Sequence, residues 1–428
     1  MADRTKAARA ILAQNDRGGY TVPTEALYPF QWNWDSAFVA MGFATFDIDR
    51  AYRELERLIE GQWEDGMIPH IIFHQPSETY FPGPNVWNTD QRHSKNPSTS
   101  GITQPPVFGI ALRFIYEMSI GYDDAEARTL SLFHAALRSH RWWLTARDPE
   151  QRGLVAILHP RESGSDNSPA WDIALARVPT TTETEIHRQD TKHVNAAMRP
   201  QDMDYQRFIH LVEVYRRCQW DPVKQWAAAP FKVADVQMTA ILARATADLL
   251  WIASKLNFSN EVEELSAMHR RLLRGLQSRW RDHMGGYVSL DLISGEDIDK
   301  QTQASFIPLI ALQLPLHQRE TVRDEIERWC HGLVLGVPST PPFSPDFESK
   351  RYWRGPVWGV INWLIADGLR QNHLQELAVA IEKKTIEVIE QNGFYEYFDP
   401  TTGEGLGGHA FSWTAATYLV LRRRLPKN

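Results

Sequence analysis

Only two of the 428 residues are cysteine, Cys218 and Cys330, and there is no CxxC pair. A disulfide framework and a zinc ribbon are therefore excluded, and a reducing, cytoplasmic setting is the expectation. Blocks of one charge sign are equally scarce. Net charge is −7, and the one basic run, "LRRRLPK" at 421–427, reads as a solvated helix end. Neither nucleic acid nor an anionic membrane is expected as a partner. No apolar run reaches the length of a membrane span, about 20 residues. The opening "MADRTKAARAILAQNDRGGY" is polar and amphipathic, without the apolar centre of a signal peptide. GxGxxG, the P-loop, GxSxG and HExxH are all missing, which removes the commonest nucleotide, serine-hydrolase and zinc-protease readings. Histidines are present but show no ligand spacing; His70 and His74 flank "IIF" and read as structural residues around a strand. "DLISGEDID" matches a calcium loop only loosely. Neither metal nor cofactor is expected.

What the chain has in excess is aromatic residues: 16 tryptophans, 13 tyrosines and 18 phenylalanines. Many sit in short polar motifs rather than on periodic apolar faces: "YPFQWNWD", "YFPGPNVWN", "SPAWD", "YWRGPVW" and "FSWT". Any one of them can be explained as a loop plugged onto a core. Together they suit a carbohydrate site, where rings stack on the apolar faces of a pyranose while charged and amide groups meet its hydroxyls.

Helical periodicity dominates the rest. In 236–256, Met238, Leu242, Ala245, Leu249, Ile252 and Leu256 recur at steps of three and four. Similar patterns cover 34–44, 50–62, 104–120, 125–147, 202–218, 261–280, 301–313, 318–331, 357–371, 374–391 and 411–424, with Gly393 as a helix stop. Strand-like runs are few and short: "PHIIFH", "LVAIL" and "GYVSLD". With no βαβ alternation, the expectation is an all-α fold, a closed toroid of helix pairs, as one domain over 1–428. Three connections are long and polar, at 74–101, 179–200 and 336–350, and loops of that kind are usually functional lids or disordered.

The chemistry has to come from carboxylates among the aromatics: Asp35, Asp166, Asp172 and Glu396. Asp166 lies in "HPRESGSDNSPAWD" (159–172), most of which reads as turn. Ser168 as N-cap and Pro169 in the first helical position start the next helix without its help. Two carboxylates facing each other across a sugar suffice for glycoside hydrolysis. A loop position suits Asp166 as the acid, although the helix N-terminus behind it favours its anion. Burial against Trp171 and a second carboxylate would have to outweigh that. Glu396, between Tyr395 and Tyr397, is the natural partner, or else a surface carboxylate on a short strand.

"LYPFQWNWDSAF", "GMIPHIIF", "SGITQPP", "ESGSDNSPAWD", "YWRGPVW" and "FYEYFDPTTGEGLG…SWTAA" together resemble glycoside hydrolase family 63, in particular its short mannosylglycerate- and glucosylglycerate-hydrolysing members. The likeness runs in order through nearly the whole chain. It implies an (α/α)6 barrel with long active-site loops that hydrolyses an α-glycoside with inversion, Asp166 being the general acid and Glu396 the general base. It places Trp32, Trp34, Asp35, Trp353, Arg354 and Trp358 around the non-reducing sugar, and Tyr28, Trp171, Tyr352 and Trp413 in the same binding set. For the glycerate end it implies Tyr80, Gln104, Arg199 and Tyr205, the last two in "RPQDMDY". Where the family pattern has "WESGMD", this chain has Arg161 and Ser165, and Ala170 replaces a frequent arginine. Arg161 either joins an anion site or pairs with Glu162 or another loop carboxylate, and the structural role is the expectation. The expected function is release of glucose or mannose from an α-glycosylglycerate, a small-molecule glycoside; oligomerisation is left open, a homo-oligomer included. The rivals are a neutral-disaccharide hydrolase of the α-glucosidase or trehalase kind, a histidine-dependent epimerase on the same fold, and a non-catalytic sugar-binding protein. The carboxylate pair argues against the last two.

Overall fold

The computed structural model describes every residue except 1, 2, 26, 91, 94–96, 182 and 426–428. The first two residues of the chain, the end of the basic run and short pieces of two long loops thus lie outside the described residues. Helices of eleven residues or more are α1 Thr5–Asn15, α2 Asn33–Ala44, α3 Ile48–Ile59, α4 Phe108–Met118, α5 Ala125–Ala146, α6 Asp202–Arg217, α7 Val236–Lys255, α8 Ser259–Gln277, α9 Leu316–Cys330, α10 Gly359–Gln371, α11 Gln375–Asn392 and α12 Ser412–Arg424.

Packing sorts these into two layers. α2 packs on α4, α4 on α7, α7 on the segment Gln303–Ile310, that segment on α10, α10 on α12, and α12 back on α2. Six segments thus close a ring. Around it α3 lies on α2, α5 on α4, α8 on α7, α11 on α10 and α1 on α12, while Trp329 of α9 packs edge-on against Phe306 of the ring. Composition explains the sorting. Every residue of α2 is buried, so "NWDSAFVAMGFA" is apolar or small nearly all round. By contrast α3 buries Ile48, Ala51, Tyr52, Leu55 and Leu58, one helical stripe, and turns most of its charges outward. Closure of the ring depends on close approach: a Cβ on Gly42 would stand 2.5 Å from the Cβ of Ala416 in α12.

Three differences from the sequence expectation have local causes. The segment expected as a helix over 301–313 is a 3₁₀ helix, Gln303–Ile310, because Pro308 inside it lacks the amide an α-helix needs. α4 begins at Phe108 rather than 104 because Pro105 and Pro106 hold the chain extended before it. α7 is also long and apolar enough to cross a membrane, contrary to the sequence reading, but 78% of its apolar window is buried within the fold. It is a ring helix, and that accounts for its composition.

Small antiparallel sheets sit where ring segments begin. Gln31–Trp32, entering α2, pairs with Ile71–Phe73, which pairs with Ser98–Thr99. Val233–Ala234, entering α7, lies between Ala156–Ile157 and Leu290–Asp291. The hairpin Tyr395–Phe398/Gly405–His409 precedes α12.

Candidate active site

The bend carrying Asp166 is held from several sides. His159 opens it: its Nδ1 accepts from the Arg161 amide at 3.1 Å, while its other ring nitrogen is 3.2 Å from the Phe208 carbonyl. Burial, with Arg161 adjacent, pushes this imidazole down to about 3, so it stays neutral and donates to that carbonyl. Glu162 is buried against Arg147 at 2.8 Å and accepts from the Leu158 amide at 2.7 Å. Gln237, at the start of α7, donates to the Ser163 carbonyl at 2.9 Å, and Trp171 Nε1 donates to the Ser165 carbonyl at 2.8 Å. Ser168 does cap the turn that follows, with Pro169 in its first position. Helix entry and a fixed carboxylate thus share one bend.

Glu396 is held differently. Its Oε1 accepts from the Tyr28 hydroxyl at 3.0 Å and its Oε2 from the Gly408 amide at 3.1 Å. Trp413 Nε1 donates to its backbone carbonyl at 3.1 Å. The hairpin register slips between Leu406 and His409, and Gly407 takes φ +73° there; a Cβ at Gly407 would lie 2.3 Å from Oε2. Only glycine fits that turn.

Asp166 and Glu396 both line one cavity. Trp32, Trp34, Tyr80, Tyr352, Phe411 and Trp413 give it aromatic walls. Arg161 and Arg199 face into it. Arg161 Nε is 3.7 Å from Asp166 Oδ2, and Arg199 Nη1 is 3.9 Å from Glu396 Oε1. Arg199 also stacks on Tyr352, 4.0 Å from the ring centre, and donates from Nε to Asp190 at 3.2 Å. Asp190 further accepts from Tyr205 and from Arg188, both at 2.8 Å. Burial raises Asp166, against the pull of Arg161 and Arg199. It also raises Glu396, against Arg199, the Gly408 amide and Tyr28. Asp35 is raised well above its usual range, by burial and then by the charge of Glu396. Among the described residues no group of His, Cys, Asp and Glu is arranged to hold a metal ion.

The family model of the mannosylglycerate hydrolase MGH1-like glycoside hydrolase domain matches residues 28–414. The chain belongs to this glycoside hydrolase family. It is 45% identical over 414 residues to the mannosylglycerate hydrolase of Thermus thermophilus, covering 96% of this chain and 99% of that one. It is 36% identical over 434 residues to the glucosylglycerate hydrolase of Mycolicibacterium hassiacum, covering 96% of each. A solved structure of a GH63 mannosylglycerate hydrolase from Thermus thermophilus with Tris and D-glycerate superposes with a TM-score of 0.94 at 44% identity, covering 98% of this chain and all of that one. A neutral trehalase from Saccharomyces cerevisiae shares the fold at TM-score 0.63 and 16% identity. The ring of helix pairs is thus the (α/α)6 barrel of family 63, and the protein is a glycoside hydrolase.

Within this glycoside hydrolase, the cavity gathers Tyr28, Trp32, Trp34, Asp35, Tyr80, Gln104, Asp166, Arg199, Tyr205, Tyr352, Glu396 and Trp413. Four residues expected at the sugar stand behind it instead. Trp353 and Trp358 stack on each other at 3.7 Å and are buried, with Trp353 beside Trp34 and Trp358 beside Trp413. Trp171 fastens the Asp166 bend, as described above. Arg354 turns away to a bidentate pair with Asp172, both contacts at 2.9 Å, which also removes Asp172 from the candidate catalytic carboxylates. Of the alternatives for Arg161, the partner is another loop carboxylate, Asp166, rather than Glu162, which Arg147 occupies, and the guanidinium also faces the cavity. His70 is held by a contact between its Nδ1 and Ser100 Oγ at 3.2 Å, as expected of a structural residue, and it also lines the cavity wall. Sequence reasoning missed Asp190, Phe81 and Phe411. Phe81 follows Tyr80 in a motif already singled out and Phe411 opens "FSWT"; Asp190, in a polar loop, gives no signal of its own. The long segments at 74–101 and 179–200 both reach the cavity, through Tyr80 and Phe81 and through Asp190 and Arg199, and Phe81 meets His187 edge-on. The third, at 336–350, does not line it.

Proposed function

We propose that this enzyme hydrolyses an α-glycoside of glycerate with inversion, using residues 1–428 as one catalytic domain, with Asp166 as general acid and Glu396 as general base. Asp166 gives its proton to the glycosidic oxygen as the bond to the anomeric carbon breaks. Water attacks that carbon from the other face, and its proton goes to Glu396. The observation that carries these roles is a difference in hydrogen bonding. Glu396 accepts from the Tyr28 hydroxyl and the Gly408 amide, which favour its ionised form, as a base requires. Asp166, among the described residues, accepts none from any other side chain or amide. A half-buried carboxyl without donors keeps its proton more readily.

The anionic leaving group is supported by the two guanidiniums, Arg161 and Arg199, that line the cavity. Arg199 Nη1 is buried with no hydrogen-bond acceptor, a cost that a substrate carboxylate would relieve. Tyr205, Gln104 and Tyr80 would complete that end, and Trp32, Trp34, Asp35 and Trp413 the sugar end. The relatives named for mannosylglycerate and glucosylglycerate hydrolysis, and the one solved with D-glycerate, support the same reading. Segments 74–101 and 179–200 would close over the bound substrate and exclude bulk water.

A release assay on glucosylglycerate, mannosylglycerate, the neutral glucosylglycerol, trehalose, kojibiose and maltose, with the first-formed anomer read by NMR, tests this. The expected outcome is preference for the glycosylglycerates and initial release of the β-anomer. An initial α-anomer would refute inversion. Equal specificity constants on charged and neutral substrates would refute the anionic leaving group.

A further inference from the structure

We propose that Arg161, beside Arg199, receives the carboxylate of the leaving group, and that this pairing and the proton on Asp166 depend on each other. The inference rests on the reading above, in which Asp166 is the acid and the leaving group is an anion.

Arg161 is 6% exposed and lines the cavity, its guanidinium 5.2 Å from the ring centre of Tyr205 and 5.4 Å from that of Phe208. Among the described residues no acceptor hydrogen-bonds to that guanidinium, and the only carboxylate at ion-pair distance is Asp166, at 3.7 Å. The other nearby acids are taken. Asp190 is shared by Arg188, Arg199 and Tyr205, and Glu162 is held by Arg147. A buried cation with a single counter-ion is therefore tied to the group that must be uncharged for catalysis. When Asp166 carries its proton, Arg161 has no anion, and burying it unpaired is costly. A carboxylate entering with the substrate fills that place.

The coupling runs in both directions, as linkage requires. A bound carboxylate neutralises Arg161 and favours the protonated acid; a protonated acid frees Arg161 for the carboxylate. In the chemical step the O–H electron pair stays on Asp166, the proton goes to the glycosidic oxygen, and the released alcohol departs with its carboxylate still ionised. Water supplies hydroxyl to the sugar and a proton to Glu396, so charge is conserved. Asp166 is now an anion 3.7 Å from Arg161 and competes with the product's carboxylate for it. Bond cleavage thus weakens the hold on its own product.

Other charges face the pair. Inside the cavity Arg199 favours the Asp166 anion, while Asp190 and Glu396 oppose it. The phenols of Tyr80 and Tyr205 face Arg161, and Tyr352 faces Asp166. His70 and His159, both pushed below the usual imidazole range by burial, lie near Arg161. A second, outer cavity also touches Asp166 and carries Asp172, Asp204, Arg207, Arg351 and Arg354. Of these, Asp172 and Arg354 neutralise each other. The Glu396→Gln control below separates Asp166 from the other carboxylate of the pair.

The test is binding of D-glycerate to the intact enzyme by titration calorimetry across the pH range where carboxyl groups and histidines titrate, in buffers of different protonation enthalpy. For wild type the Kd should rise by up to tenfold per pH unit once Asp166 loses its proton, with about one proton taken up on binding. Asp166→Asn should bind tightly with no such slope. Arg161→Met should bind at least about thirtyfold more weakly and also lose the slope. Glu396→Gln should keep it. A flat wild-type profile, or a slope that survives in Asp166→Asn or Arg161→Met, overturns the inference but leaves the proposed function standing. If wild type binds no D-glycerate at any pH and cleaves charged and neutral glycosides equally, both fall.

Discussion

Tyr28→Phe separates the roles of the two carboxylates, because it removes one hydrogen-bond donor from Glu396 and leaves the surroundings of Asp166 in place. The Tyr28 hydroxyl lies 3.0 Å from Glu396 Oε1 and 3.3 Å from the Tyr352 hydroxyl. Burial and its neighbours raise its own titration far above the ordinary range, so it is a neutral donor at any working pH. A hydrogen bond to a charged group contributes about 1.5–3 kcal/mol. At about 1.4 kcal/mol per unit, its loss should lift the Glu396 titration by about one to two pH units. Arg199 and the Gly408 amide continue to favour the anion, so the lower figure is expected. The sign follows from the role. A base must be ionised, so raising its pKa moves the acidic limb of the kcat/KM profile to higher pH. The alkaline limb, which reports loss of the proton from Asp166, should stay where it is. The assay is glycerate release across pH on wild type and Tyr28→Phe, with circular dichroism to confirm folding. A shift confined to the alkaline limb would mean that Glu396 is the acid. An unmoved profile would mean that Glu396 does not titrate in catalysis, and either result refutes the assignment.

Asp166→Asn and Glu396→Gln should each lower kcat at least about a hundredfold with melting behaviour kept; a folded variant of near wild-type rate would remove that residue from the chemistry. In Gly407→Ala the new Cβ, 2.3 Å from Glu396 Oε2 and in a left-handed turn, should displace the carboxylate by about 1 Å and cost about a hundredfold in turnover. The double variant with Glu396→Gln should be no worse than Glu396→Gln alone; multiplied losses would mean that the hairpin matters for another reason. Arg199→Ala should cost about 2–5 kcal/mol of binding for a glycosylglycerate and far less for the neutral glycosylglycerol; equal losses in specificity constant would reduce Arg199 to holding its loop. Burial would raise Asp190, but Arg188 and Arg199 outweigh it and hold this carboxylate well below its usual range. Its contribution to stability is therefore present above the usual carboxylate range near 4 and is lost as pH falls below it. Asp190→Asn should flatten that acid-side loss in a thermal-melt series, and an unchanged series would contradict the pairing.

The ring was legible because its cause is local and repeated. Steps of three and four place Leu242, Ala245 and Leu249 on a shared face, and all three are buried. Layer assignment could also be read in composition, since a helix such as α2 with no charged face except Asp35 must lie inside. Proline was where periodicity failed. Pro308 leaves the apolar spacing of Gln303–Ile310 intact while removing an amide, so a helical pattern becomes a 3₁₀ segment in the same place in the ring.

The site was legible only as far as motifs, because a motif fixes which residues are near a site but not which way each points. "YWRGPVW" contributes Tyr352 to the cavity wall, while its two tryptophans stack behind the wall and its arginine turns to Asp172. Charge pairing was harder still. Whether Arg161 faces a ligand or a loop acid depends on whether Glu162 is free, and Glu162 is claimed by Arg147 from the end of α5. Asp190 poses the same problem, since its partners Arg188, Arg199 and Tyr205 meet only when the 179–200 segment folds back on α6. Ion pairs formed within and across irregular loops leave no periodic trace in the chain. The allocation of acids to arginines is therefore a property of the folded molecule, and among the described residues it leaves Arg161 with no counter-ion except Asp166.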